Sequence, residues 1–237
     1  MKTNLLKSLL RLDDIAKYGG KKLALRYLFS TLGVIIIGLG CGVVVEMAVG
    51  CDTYTCFNRS IWYILTDIFG EFPFGHINLA VNLVLFVFMI ALRRDLIGFG
   101  TLLNMVCVGY IIDIVHNVFV SVGAPGTELN FFLRIAIITV ALPVIAFGDA
   151  LYIDAELGVS PFDAVPFILE KLTNGRHSFR LLRTLADCFC LAGGFLLGLI
   201  TNRHFELANV GTVILALGTG TLITLFRNLL PLDKKLK

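Results

Sequence analysis

Between Gly148 and Asp163 the run GDALYIDAELGVSPFD breaks a long apolar segment with Asp149, Asp154, Glu156 and Asp163 and a Gly-x-x-Pro turn. A charge near the centre of a bilayer costs roughly 2.5 to 3.5 kcal/mol on insertion scales, so carboxylates crowded at a broken apolar helix suggest a working part. Burial lifts a carboxyl toward neutrality, and such groups suit cation binding or proton uptake. Glu46 ends an earlier apolar run, and Asn58 follows it in the polar patch CDTYTCFNRS. If the two breaks meet, Glu46, Asn58, Asp154, Ser160 and Asp163 form a substrate-binding set. If they do not, Glu46 and Asp154 cap the ends of apolar helices at the water interface. Asp113, His116 and Asp187 interrupt other apolar runs and read either as a proton relay or as structural partners. His116 is within helical reach of Asp113 and also suits an interface at a span end.

Other chemistry lacks support. There is no GxSxG, HExxH or paired His and Cys, so an enzyme is not expected. The six cysteines form no CxxC and no His stands at ligand spacing, so neither metal nor cofactor is expected. Cys51 and Cys56 either pair outside the membrane or serve as small buried apolar residues.

The elements that must carry these residues are membrane helices. A mean hydropathy of +0.87, with 57% apolar and 16% charged residues, places the chain in the integral membrane class. Its 237 residues hold about six to eight spans and no soluble appendage. The net charge of +3 comes from basic residues flanking apolar runs, which orients helices and argues against nucleic acid as a partner. The expected partners are the lipid bilayer, an unknown small-molecule substrate, and a second copy or a partner subunit.

Residues 1–26 read as a basic amphipathic cytoplasmic segment, either lying on an anionic leaflet or solvated as a tail. No signal peptide is expected. Residues 27–237 read as one membrane domain. Its spans are Tyr27–Val49, Ile77–Leu92, Gly98–Phe119, Phe131–Tyr152, Leu181–Ile200 and Ala208–Phe226. Two stretches, Ser60–Phe69 and Phe162–Leu172, are too short to cross ~30 Å at 1.5 Å per residue.

The chain also resembles itself. A shift of 108 residues matches Arg26 with Arg134, Gly40 with Gly148, Glu46 with Asp154 and Gly50 with Gly158. With a small gap, Phe57-Asn58 matches Phe162-Asp163; Gly100-Thr101 then matches Gly211-Thr212, and at that same offset Gly109 matches Gly220 and Asn117 matches Asn228. Repeats 27–122 and 131–230 with three spans each would be inverted relative to one another. That layout puts seventeen of the twenty Lys and Arg on the cytoplasmic face with both termini. Eight spans in parallel repeats put sixteen there, so segment length decides for six.

GDALYIDAELGVSPFDAVPFIL and GFGTLLNMVCVGYIID resemble motifs of the YczE/YyaS/YitT family of bacterial integral membrane proteins, closest to its YczE branch. The resemblance covers nearly all the chain beyond residue 26 and marks Gly158, Pro161, Asp163, Gly100, Thr101, Asn104, Gly109 and Asp113. Ser160 replaces the motif's second glycine and Phe162 its tryptophan. It implies a multi-pass protein of the bacterial cytoplasmic membrane. With the acidic break, the expected function is secondary transport of a small polar or cationic solute, coupled to protons or not. The alternative is a non-catalytic binding or scaffold subunit acting with a partner.

Overall fold

The computed structural model describes residues 20–123, 126–177, 179–202 and 208–229. Most of the basic segment (1–19), the centre of the loop between the halves (124–125), Arg203 and the tail from 230 lie outside the described residues.

The chain is all-α. Among the described residues there are eight helices, α1 Gly20–Glu46, α2 Thr53–Phe69, α3 Phe74–Leu92, α4 Phe99–Val122, α5 Phe131–Asp154, α6 Pro161–Leu172, α7 Phe179–Ile200 and α8 Val210–Leu229. All except α2 and α6 are long and apolar enough to cross a membrane, which makes six candidate spans. Their outward faces expose Val87, Phe88, Phe132, Val140, Phe189 and Leu217, as a lipid surface requires.

Two boundaries differ most from the sequence expectation. The first helix begins at Gly20, not Tyr27, because Arg26 belongs to its buried face at 1% exposure. The first short helix begins at Thr53, not Ser60, and has 17 residues. Asp52 is its N-cap, accepting from the Thr55 N–H at 3.0 Å, so the polar patch is two turns of helix rather than loop.

At the centre α1 packs on α5 and α4, and α5 carries α8. The core between them joins Val34, Ile37 and Val44 to Ile138, Leu142 and Ile145. The Arg26 guanidinium donates to the Ala155 carbonyl at 3.0 Å, and that of Arg134 to the Met47 carbonyl. Each arginine sits near the start of one helix and closes the end of the other, so α1 and α5 run antiparallel. They approach closely: a Cβ on Gly33 would stand 2.6 Å from the Gly148 carbonyl oxygen.

Around this pair α2 packs on α7 and α6 on α3; α2 also meets α3, and α6 meets α7. Exchanging α1 with α5, α2 with α6, α3 with α7 and α4 with α8 maps each pairing onto another. The exception is α3 with α4: among the described residues, α7 and α8 close no comparable seam.

Local geometry recurs at the same spacing. Ala48 and Glu156 have φ of 48° and 54°, and Gly50 and Gly158 have 107° and 102°. The Val49 carbonyl accepts from the Gly211 N–H at 2.9 Å, and the Leu157 carbonyl from that of Gly100 at 2.8 Å. The Thr212 and Thr101 hydroxyls accept from the Asn209 and Gly98 N–H groups, at 3.4 and 3.1 Å. The N-caps Asp52 and Ser160 are also 108 apart in the sequence, so the gap placed at Phe57-Asn58 is not needed there. The structural counterpart of Asp163 is Thr55, whose N–H meets the cap as the Asp163 N–H does.

Because Gly50 and Gly158 combine positive φ with a tight wall, G50A and G158A are both expected to destabilise the protein. The backbone alone contributes on the order of 1 to 3 kcal/mol. Gly70 has φ 88° and open space, so G70A should lower the thermal unfolding temperature in detergent by less than either.

Candidate functional site

The two short helices start inside the bundle. The Thr53 hydroxyl, in the first turn of α2, donates to Asp187 partway along α7 at 2.9 Å, and the Ser60 hydroxyl donates to the Gly194 carbonyl at 2.7 Å. Thus α2 starts at mid-depth and rises beside α7. Similarly α6 lies beside the last turns of α3, with Ala164 against Met89 and the Lys171 ammonium on the Leu92 carbonyl at 2.8 Å. Their first turns meet where Tyr54 stacks on Phe162, with ring centroids 4.5 Å apart and planes 15° apart. These two residues are themselves 108 apart in sequence.

Charge gathers around that stack. The Ser160 hydroxyl caps α6 by accepting from the Asp163 N–H at 3.1 Å, and contacts the Asp163 carboxylate at 2.6 Å. The other Asp163 oxygen accepts from Arg183. Arg183 also donates to Asp187 at 3.1 Å, and its guanidinium lies 4.7 Å from the Phe162 ring centre. Ser160, Asp163, Arg183, Asp187 and Thr53 therefore form one polar chain from the first turn of α6 to the first turn of α2. Asp149 lies within electrostatic reach of Asp163, Arg183 and Asp52. Asp163, Arg183 and Asp187 are each about a third exposed (33%, 34% and 28%), so water reaches them. Asp52, Asp149, Asp163 and Asp187 outnumber the single guanidinium, an excess that suits a cationic group or a proton. Burial holds the Asp52 carboxyl above its ordinary range, against the opposing bonds from Thr55.

The expected site residues separate. Asp163 and Ser160 belong to the central cluster. Glu46 does not: it accepts from His116 at 2.9 Å at the end of α1. Asp154 pairs with Arg227 at 2.6 Å at the end of α5, and the antiparallel run of those helices puts the two pairs at opposite ends. Asn58 is buried and donates its amide to the Asn78 side chain at 3.1 Å. Of the suggested relay, only Asp187 reaches the cluster. Asp113 does not bond to His116; its carboxylate caps α3 through the Phe74 and Gly75 N–H groups at 2.9 and 2.7 Å. The motif residues serve architecture: Gly100, Thr101 and Gly158 join the break to α4, Pro161 opens α6, and Gly109 admits Asn78. Asn104 is half-buried on α4. All six cysteines are free thiols, with Cys51 and Cys56 buried.

Asp52, Tyr54 and Arg183 escape the sequence reading, and Asp149 reads there only as the edge of the break. Arg183 counts there as a cytoplasmic-face charge, although it turns inward. Its i,i+4 spacing to Asp187 within an apolar helix was the available signal.

Residues 24–228 match DUF6198, described as a family of unknown function. The chain belongs to that family. An uncharacterized protein of Haemophilus influenzae is 26% identical over 196 residues, covering 82% of this chain and 80% of that one. The uncharacterized membrane protein YczE of Bacillus subtilis is 26% identical over 155 residues, covering 65% and 66%. No solved structure matches. The chain is thus a YczE-like member of DUF6198 and a membrane protein with six candidate spans among the described residues.

Two outcomes test the central cluster in this family member. R183Q strips Asp163 and Asp187 of their cation and should cost about 2 kcal/mol, a buried-pair loss discounted for exposure, while R183Q/D163N recovers part of it in chemical unfolding. Asp52, with its raised value, stabilises the fold fully below the ordinary carboxylate range and loses that contribution as pH rises through the raised value. Unfolding of D52N should therefore vary less with pH than wild type from about pH 4 upward.

Proposed function

We propose that this chain is a secondary transporter for a small polar or cationic solute, built as two inverted three-span repeats in the bacterial cytoplasmic membrane. The observation that carries this reading is the Tyr54–Phe162 stack, where two non-spanning helices from different halves meet beside Asp163, Arg183 and Asp187. Broken helices whose ends converge on a polar site between repeats are how many secondary transporters hold their cargo. Antiparallel α1 and α5 support the inversion, since equivalent spans running in opposite directions belong to halves mounted upside down. The start of α2 beside the middle of α7 supports six spans over eight. The Lys and Arg distribution supports cytoplasmic termini. In this reading Asp163 and Asp187 hold the cargo, Arg183 sets their charge, and no covalent chemistry occurs. A second reading, a subunit acting with a partner or another copy, is favoured by the open seam between α7 and α8.

In proteoliposomes, a metabolite screen for uptake driven by a proton or cation gradient should find a substrate. D163N should lower that uptake at least tenfold while unfolding at a temperature close to wild type. Wild-type uptake by a folded D163N would sink the site. Purified protein that is inert until a co-purifying partner is added back would favour the subunit reading.

A further inference from the structure

A second polar recess lies away from the cluster, at the C-terminal end of α1. It encloses about 150 Å³ between Glu46, Cys51, Arg59, Tyr63, His116 and Thr127. Arg59, on the second turn of α2, packs its guanidinium 5.3 Å from the Trp62 ring and 5.1 Å from that of Tyr63. It donates to the Tyr63 hydroxyl at 2.7 Å, and among the described residues no carboxylate bonds it. The nearby carboxylate is committed elsewhere, because the Glu46 Oε1 accepts from His116. The recess therefore offers a guanidinium with unused donors beside a carboxylate with an unused oxygen. The opposite end differs: Asp154 and Arg227 form the counterpart pair there, but the position 108 beyond Arg59 is Phe167. Duplication alone does not explain Arg59.

We propose that this recess binds a small zwitterion of the amino-acid type, its carboxylate on Arg59 and its ammonium on Glu46. The planar fork of arginine matches a carboxylate in a two-point bond, which a lysine cannot reproduce. Glu46 disfavours a dianion such as phosphate and rewards a ligand that carries a positive group beside its negative one. At ~30 Å³ per water, the space holds about five water-sized groups, enough for a solute of a few heavy atoms. The site does not depend on the transport reading, because none of its groups belongs to the central cluster.

Equilibrium dialysis of the purified full chain against labelled glycine tests it, with acetate, methylammonium and phosphate as competitors at matched ionic strength. Saturable glycine binding is expected, with acetate and methylammonium at least tenfold weaker and phosphate weaker still. R59K keeps the charge and the ring contact and should weaken glycine at least tenfold; E46Q should bring glycine down to the level of acetate. D163N should bind glycine as wild type does. The proposal is overturned if wild type shows no saturable binding, if R59K binds glycine normally, if acetate competes as well as glycine, or if D163N and not R59K abolishes binding.

Discussion

A backbone N–H or C=O left without a partner in hydrocarbon costs several kcal/mol, and two helices of this protein begin where hydrocarbon would otherwise be. Everything around α2 and α6 answers that constraint. Asp52 and Ser160 take up the first free N–H groups. The Val49 and Leu157 carbonyls are bonded by Gly211 and Gly100, at the starts of α8 and α4. Arg134 and Arg26 close the carbonyls at the ends of α1 and α5. Spans that serve as solvent substitutes for a neighbour's broken end must cross at fixed positions, which accounts for the close contact of Gly33 with Gly148.

The same scaffold carries different chemistry in its two halves. Where α6 meets α7, Asp163 and Arg183 form an ion pair, and Asp187 extends it to α2. Where α2 meets α3, the contact is an amide pair, Asn58 with Asn78, backed by Asn82. A neutral amide contact serves packing without the desolvation cost of charge. The ends of the central helices diverge too, with His116 opposite Glu46 and Arg227 opposite Asp154.

Much of this organisation was legible in the chain. Helix type, six spans, two short helices and the 108-residue spacing follow from hydropathy and from matches such as Gly50 with Gly158. The acidic break was legible as well, and Asp163 and Ser160 do lie at the centre. Glu46 and Asp154 stayed open between the site and the span ends, because a carboxylate at a span end looks the same in sequence whether it faces inward or pairs there. Asp113 stayed open between relay and structural partner, because a side chain that caps a distant helix leaves no local trace of its partner.

Sequence alone determined what depends on local chemistry and on the solvent: apolar runs long enough for lipid, breaks at Gly158 and Pro161, and positive charge gathered at span flanks. The tertiary structure decided which charges meet. Arg183 joins Asp163 and Asp187 only because α6 and α2 start at the same depth beside α7. Tyr54 finds Phe162 only because the first turns of α2 and α6 pack against each other. Electrostatic pairing reads distance in space, and a chain folded back on itself in a membrane carries no record of that distance in its order of residues.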